Sequence, residues 1–286
     1  MNKKYTLQVI TDISDASWNE MYAVMRGIAL GLSEKPLEIA PVVPVKELSI
    51  LHGAFLTRLM IKSYFYPVVI FTNVAPHREY KTDLIGKIKG RDLIFMGSNN
   101  GIFDWIVRDF KLDYLAEILL KDPFVIDGEL AYLPGQSLPE NYQRKIASQT
   151  GHKTFSAHTV LGGVAVGLAN GINYKRFGQD RDKSFVVKLD TKTGQVIHID
   201  NYGNLKIFGS FCFRHGQEVF VSNGEGKICT GEYINDRMMS HFTHEFVIYP
   251  STSLPGMTDV AMVRGNASAR LGLEIGDVLT FSGVKN

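Results

Sequence analysis

Two rhythms of apolar and polar residues run through the first 170 positions. Short apolar runs rich in branched side chains, "YTLQVIT" (5–11), "PVVIFT" (67–72) and "DLIFMG" (92–97), read as buried strands. Between them apolar residues recur at three- and four-residue steps. Met21, Val24, Met25, Ile28 and Leu32 predict a helix, and Ser17 and Glu20 stand at capping-box spacing just before that run. "EIAPVVPV" (38–45) is a second extended segment, and a helical pattern follows from about Glu47 to Ser63. Further helical patterns fall within 103–150 and from Phe155 to Ala169. Strand and helix in alternation predict an α/β domain over residues 1–172, with a parallel sheet covered on both faces.

The rhythm changes near residue 170. "NGINYKRFGQDRDK" (170–183) is polar and carries glycines, as a linker would. Short strands separated by turn residues follow: "FVVKLD", "VIHID", "NLKIF", "EVFVS", "EFVIYPS", "VAMVRG" and "DVLTFS". They predict a smaller β-barrel or sandwich domain over residues 184–286.

Composition narrows the function. The net charge of +2 points to neither nucleic acid nor an anionic membrane. The longest apolar stretch, "TVLGGVAVGLA" (159–169), is well short of the roughly 20 residues that span a bilayer. Cys212 and Cys229 form no metal pattern, and the N-terminus lacks the apolar core of a signal peptide. A soluble cytoplasmic protein is expected. The histidines show no HxH or HExxH spacing, so no metal is expected, and neither GxGxxG nor GxxxxGK[ST] occurs.

Ligands of open parallel sheets bind beyond the carboxyl ends of the strands. Three predicted strands end there in polar residues: Thr11-Asp12, Thr72-Asn73 and Gly97-Ser98-Asn99-Asn100-Gly101. Each cluster reads equally as caps and turn formers, and together they suggest a pocket. Asp12 suits the hydroxyls of a ribose or the cap of a turn, and Arg78 suits the surface or an anion in the same crevice. "VIHIDNYGNLKIF" (196–208) poses the sharpest choice. Asp200, Asn201, Gly203 and Asn204 interrupt a good β-segment, as a hairpin or as a ligand site at a strand tip. "GNASARLGL" (265–273) reads as a loop-to-helix turn offering backbone amides, or as a plain left-handed turn.

The same stretches resemble the S-adenosylmethionine hydroxide adenosyltransferase family, to which the fluorinase and chlorinase enzymes also belong. "VIHIDNYGNLKIF" is similar to its "IDxFGN" segment, and "QVITDISDASWNEMYAVMRGIAL" to its opening strand and helix. "MGSNNGIF" resembles the "APDNG" loop, "TFSAHTVLGGVAVGLA" the "TFHGRD" helix start, and "RGNASARLGLEIGD" the C-terminal "GNAAxxLGLxxGD". The likeness spans nearly the whole chain. It implies a homotrimer with S-adenosylmethionine, as substrate and without any cofactor, held between adjacent subunits. Asp12 would hold the ribose, Asn204 would face the adenine and Asp200 the methionine end. Tyr233 would offer a ring to adenine, and Gly265, Asn266 and Ala267 would offer backbone contacts.

The departures fall on the water-activating set, which in the family is an Asp, an Arg and a His. Arg78 of "TNVAPHR" survives, Asn73 stands where the Asp belongs, and Ser156 of "TFSAHT" replaces the His, with His158 two residues on. Displacement at the ribose C5′ carbon releases neutral methionine and needs no acid, whereas water gains 10²–10⁴-fold from a proton acceptor. Asn73 and Ser156 accept no proton near neutral pH, and Arg78 only orients the water. Three readings stay open: a hydrolase forming adenosine and methionine, a degenerate sensor or scaffold that binds adenosine or S-adenosylmethionine, and a module for another purine-like ligand. No insertion resembles the extra loop of the fluorinases.

Overall fold

The computed structural model describes residues 4–32, 36–74, 82–119, 125–126, 129–130 and 160–284. They fall into two compact units, Met1–Leu189 and Asp190–Asn286.

In the first unit, β1 (Thr6–Thr11) leads to α1 (Asp15–Leu32), then β2 (Val43–Pro44) and α2 (Ile50–Ser63). β3 (Val68–Asn73), β4 (Asp83–Ile88), β5 (Leu93–Ser98), α3 (Asp104–Asp109) and β6 (Leu112–Ile118) follow. A two-stranded piece, β7 (Val125–Ile126) with β8 (Glu129–Leu130), precedes α4 (Gly162–Ala169) and β9 (Gly178–Asp180). The main sheet has seven strands in the order β2-β1-β3-β5-β4-β6-β9.

Its β2-β1-β3-β5 half is parallel, as the strand and helix alternation requires. The other half corrects the expectation of a wholly parallel sheet, because β4, β6 and β9 pair antiparallel. β4 and β5 form a hairpin turned at Gly90, whose φ of 73° suits glycine. β6 occupies part of the 103–150 segment expected to be helical, where α3 is the one helix among the described residues. The expected linker carries β9, so the chain leaves this unit only after Leu189. α1 starts two residues before Ser17, where the capping box had put its first turn.

Period-two alternation sends Val9, Phe71, Ile85 and Met96 to one face of the sheet, where they pack with Met21, Met25 and Ile28 of α1 and Val164, Ala165 and Leu168 of α4. Each large side chain buried there contributes about 1.5–3 kcal/mol. α4 is buried along its whole length, and Gly167 lets the Phe177 ring approach to where a β-carbon would be 2.7 Å away. The opposite face meets α2, where the Thr57 and Thr72 hydroxyls share a hydrogen bond of 2.9 Å.

The second unit has β10 (Val196–Ile199), β11 (Leu205–Phe208), β12 (Gln217–Asn223), β13 (Gly226–Tyr233), β14 (Phe246–Pro250), β15 (Met257–Met262), a short α5 (Ala267–Leu271) and β16 (Thr280–Gly283). They form one seven-stranded sheet, β10-β11-β15-β14-β13-β12-β16, in which β13 and β14 run parallel. "FVVKLD" is no strand: Lys183–Phe185 is a 3-10 turn of the first unit. β13 was not foreseen, since "GKICTGEY" carries glycines at both ends of its apolar core.

Val196, Leu205, Ile207, Val219, Ile248 and Val260 make the core on one side of that sheet. On the other side Lys206 and Asp259 face each other across β11 and β15 and form a buried ion pair beside Val247 and Ala261.

Candidate functional site

At the carboxyl edge of the first sheet, β1 ends under a loop. The Val45 amide bonds the Thr11 carbonyl at 2.9 Å, and the Leu48 amide donates to Asp12 Oδ2 at 3.0 Å. His52 Nδ1 accepts the Lys46 amide at 2.9 Å, while Ser49 caps α2. Burial, helped by the charge of Lys46, lowers the His52 pKa to about 4, which keeps the ring a neutral acceptor. Asp12 is half-buried and fixes this loop through one carboxylate oxygen. Both readings of Asp12 are compatible with that position.

β3 ends at Asn73 and β5 at Ser98, side by side, with Thr72 opposite Gly97. The Gly97 backbone (φ 147°) passes so near the Thr72 carbonyl that a β-carbon would overlap it, so this approach of the two strands requires glycine. The amides after Ser98 are engaged. Asn99 bonds the Phe185 carbonyl and the Val187 amide, each at 2.9 Å, and Asn100 bonds the Val74 carbonyl at 2.9 Å. These asparagines tie loops together, which is the turn-forming reading of that cluster.

Asp83, which the sequence reading passed over, opens β4 at the same edge because β4 runs the other way. It lies directly opposite Ser98, whose hydroxyl donates to Asp83 Oδ1 at 2.9 Å. Burial raises its pKa, and the Ser98 hydrogen bond acts against that rise. Finding it from sequence would have required recognising "DLIGKIKGRDLIF" as a hairpin that turns at Gly90.

In the second unit, Asp200 to Asn204 form the hairpin between β10 and β11. Asp200 Oδ1 accepts the Tyr202 amide at 2.9 Å and the Asn204 amide at 3.0 Å, and Oδ2 accepts the Asn204 side chain at 3.0 Å. Gly203 takes φ 83°, and a β-carbon there would overlap the Asn266 amide. Asn266 caps α5 by accepting the Ala269 amide at 2.7 Å, and the Ser268 amide bonds the Gly203 carbonyl at 3.0 Å. Two segments some sixty residues apart, "IDNYGN" and "GNASA", thus pack on each other. Gly265 and Asn266 reach the surface and Ala267 is buried. Tyr233 is 3% exposed, its ring edge-on to Phe213 at 5.7 Å, so it packs within this chain's core.

Arg78, Ser156 and His158 lie outside the described residues. Among the described residues no three His, Cys, Asp or Glu side chains gather as metal ligands, and no helix is long and apolar enough to cross a membrane.

No protein-family model matches the chain. Over 206 residues it is 27% identical to the (R)-S-adenosyl-L-methionine hydrolase of Methanocaldococcus jannaschii, a match covering 70% of this chain and 66% of that protein. The chain is thus similar, at this level, to a protein named for S-adenosylmethionine hydrolysis. The resemblance of its sequence to that family is therefore borne out. Two solved structures share the fold of this chain. An uncharacterized conserved protein from Thermotoga maritima has a TM-score of 0.72, and a conserved hypothetical protein from Thermus thermophilus has 0.65. Each is 17% identical, with 97% of this chain and 100% of the other covered.

Proposed function

We propose that the chain binds S-adenosylmethionine and hydrolyses it to adenosine and methionine by displacement at C5′. The observation that carries this reading is the packing of the Asp200–Asn204 turn against the Asn266 cap, which joins two of the segments resembling the adenosyltransferases. The name of the Methanocaldococcus relative supports the same chemistry. In this reading Asp12 holds the ribose hydroxyls, Asn204 and the Gly265–Ala267 backbone meet the nucleoside, and Asp200 keeps their turn in shape. Arg78 and Asn73 orient the attacking water beside Ser156. No cofactor takes part. The homotrimer implied by the resemblance brings these sets together from neighbouring cytoplasmic copies.

The chemistry asks little of the leaving group, since the sulfonium departs as neutral methionine. It asks for a water placed in line behind C5′ and for a dry reacting centre. Asn73 holds an amide where the family has a carboxylate, and that favours a second reading in which the chain binds adenosine or S-adenosylmethionine without turnover. Incubation with S-adenosylmethionine, followed by chromatography for adenosine, separates the two. Adenosine above a no-protein control supports hydrolysis. Binding by calorimetry without product leaves the sensor, and no binding of either ligand removes both.

A further inference from the structure

The proposed hydrolysis needs a proton acceptor, and Asn73 is not one. The strand edge that carries Asn73 also carries a carboxylate. Period-two alternation sets the geometry: Phe71, Met96 and Ile85 all point to the face covered by α1 and α4. Asn73, Ser98 and Asp83 stand two positions further toward the edge on β3, β5 and β4, which are neighbours in the sheet. Asn73 and Asp83 therefore flank Ser98 on one face. Side chains on adjacent strands stand about 5 Å apart at Cβ, so a water resting over Ser98 is within reach of both neighbours. Ser98 already holds Asp83 Oδ1 at 2.9 Å, which fixes the carboxylate's direction.

We propose that Asp83 accepts the proton of the water that attacks C5′ of S-adenosylmethionine, in place of the carboxylate missing at Asn73; this rests on the hydrolytic reading above. The water oxygen bonds to C5′ as the C5′–S bond breaks, and that electron pair leaves on the methionine sulfur. The water's proton passes to Asp83 and from there to solvent. Asn73 holds the water by its amide, and Ser98 holds the base. Burial supports the assignment by making the carboxylate more basic than an exposed one, with the Ser98 hydrogen bond acting against that rise.

The charged side chains on the strands beside Asp83 are engaged elsewhere. Glu117 on β6 lies opposite Leu84, hence on the other face, and is bound by Arg181 at 2.6 Å. Lys87, four residues along β4, pairs with Asp113 at 3.4 Å. α4 carries no titratable side chain, and α1 carries Asp15, Glu20, Tyr22 and Arg26, of which Arg26 bonds the Leu37 carbonyl at 2.6 Å. The simpler alternative is that Asp83 and Ser98 merely fasten the start of a hairpin.

Turnover and binding measured together decide the matter. In Asp83→Asn, kcat should fall by about 100-fold or more while adenosine binding by calorimetry stays within about threefold. The double variant N73D/D83N, which returns a carboxylate to β3, should recover at least about a tenth of the lost rate. D83N with kcat within about threefold of the unaltered chain overturns the role of Asp83 and leaves the hydrolytic reading standing. Absence of adenosine from the unaltered chain overturns both. Should D83N fail to fold, Ser98→Ala decides. Without its hydroxyl donor Asp83 takes up a proton more readily, so the acid limb of the kcat profile moves to higher pH if Asp83 is the base. An unmoved limb overturns the proposal.

Discussion

The Asn266 side chain lies across Gly203 so closely that no β-carbon fits between them. One contact thereby fixes the turn after β10 against the start of α5. Gly203→Ala meets this obstruction and also forces alanine to φ 83°, a region that costs a non-glycine residue about 1–3 kcal/mol. We expect a loss of at least about 2 kcal/mol in chemical denaturation, and weaker nucleoside binding in whatever folds. Asn266→Ala removes the cap together with the contact on Gly203 and should cost about 1–2 kcal/mol.

Asp200 gives both carboxylate oxygens to its own turn. Asp200→Asn keeps the shape but turns one oxygen into an amide donor, so a backbone or side-chain N–H of the turn faces another donor. The expected cost is about 1–3 kcal/mol, read as a lower denaturation midpoint with an unchanged slope. An unchanged midpoint would show that the turn holds without the charge.

These two residues also show how far the sequence could be read. The interruption of "VIHIDNYGNLKIF" was visible as polar residues within an apolar pattern, and its hairpin geometry follows from glycine and aspartate chemistry. The parallel strands were visible because burial on both faces makes them continuous apolar runs. β4, β6 and β13 were not, since glycines and lysines in β4 and β13, and Asp113 and Glu117 in β6, break up their apolar character. Asp83 stayed hidden for that reason: its significance depends on β4 running backwards, which only the pairing with β5 reveals. No local pattern tells that the Tyr233 ring packs edge-on against Phe213.

The buried pair Lys206–Asp259 makes a third prediction. Asp259 is 0% exposed, and burial raises its pKa even with Lys206 acting against it. Lys206→Ala strands a carboxylate without its counter-charge and should destabilise the protein by about 3–5 kcal/mol, or leave Asp259 protonated. The double variant K206M/D259L removes both charges and should lie closer to the unaltered chain in thermal melting. A double variant as unstable as the single one would mean that packing, not charge, dominates there.

Acid should loosen the loop over Asp12 through His52. The ring is 8% exposed, and its pKa falls from the usual 6.5 to about 4 on folding. Between those values the unfolded chain binds a proton that the folded chain refuses. The contribution of His52 is therefore complete above about pH 6.5, declines as pH falls toward 4, and changes no further below that. At 1.36 kcal/mol per pH unit it reaches roughly 3 kcal/mol. Denaturation midpoints at pH 7.5 and 4.5 should differ less in His52→Gln than in the unaltered chain.

Asp12 offers the last test, because its loop bond and its proposed ribose bond affect different measurements. Asp12→Ala removes the acceptor of the Leu48 amide, an exposed contact worth about 0.5–1.5 kcal/mol, so the melting temperature should drop only slightly. If the same carboxylate also holds ribose hydroxyls, each charged hydrogen bond lost costs about 1.5–3 kcal/mol, or roughly 10–100-fold in Kd. Calorimetry with adenosine should then show a fall far larger than the change in stability predicts. Asp12→Asn sharpens the contrast, since its side-chain oxygen still accepts the Leu48 amide while the negative charge is gone. Near-normal melting with much weaker adenosine binding in that variant assigns the carboxylate to the ribose. Equal affinity in all three proteins would leave Asp12 as the anchor of a loop and move the nucleoside elsewhere.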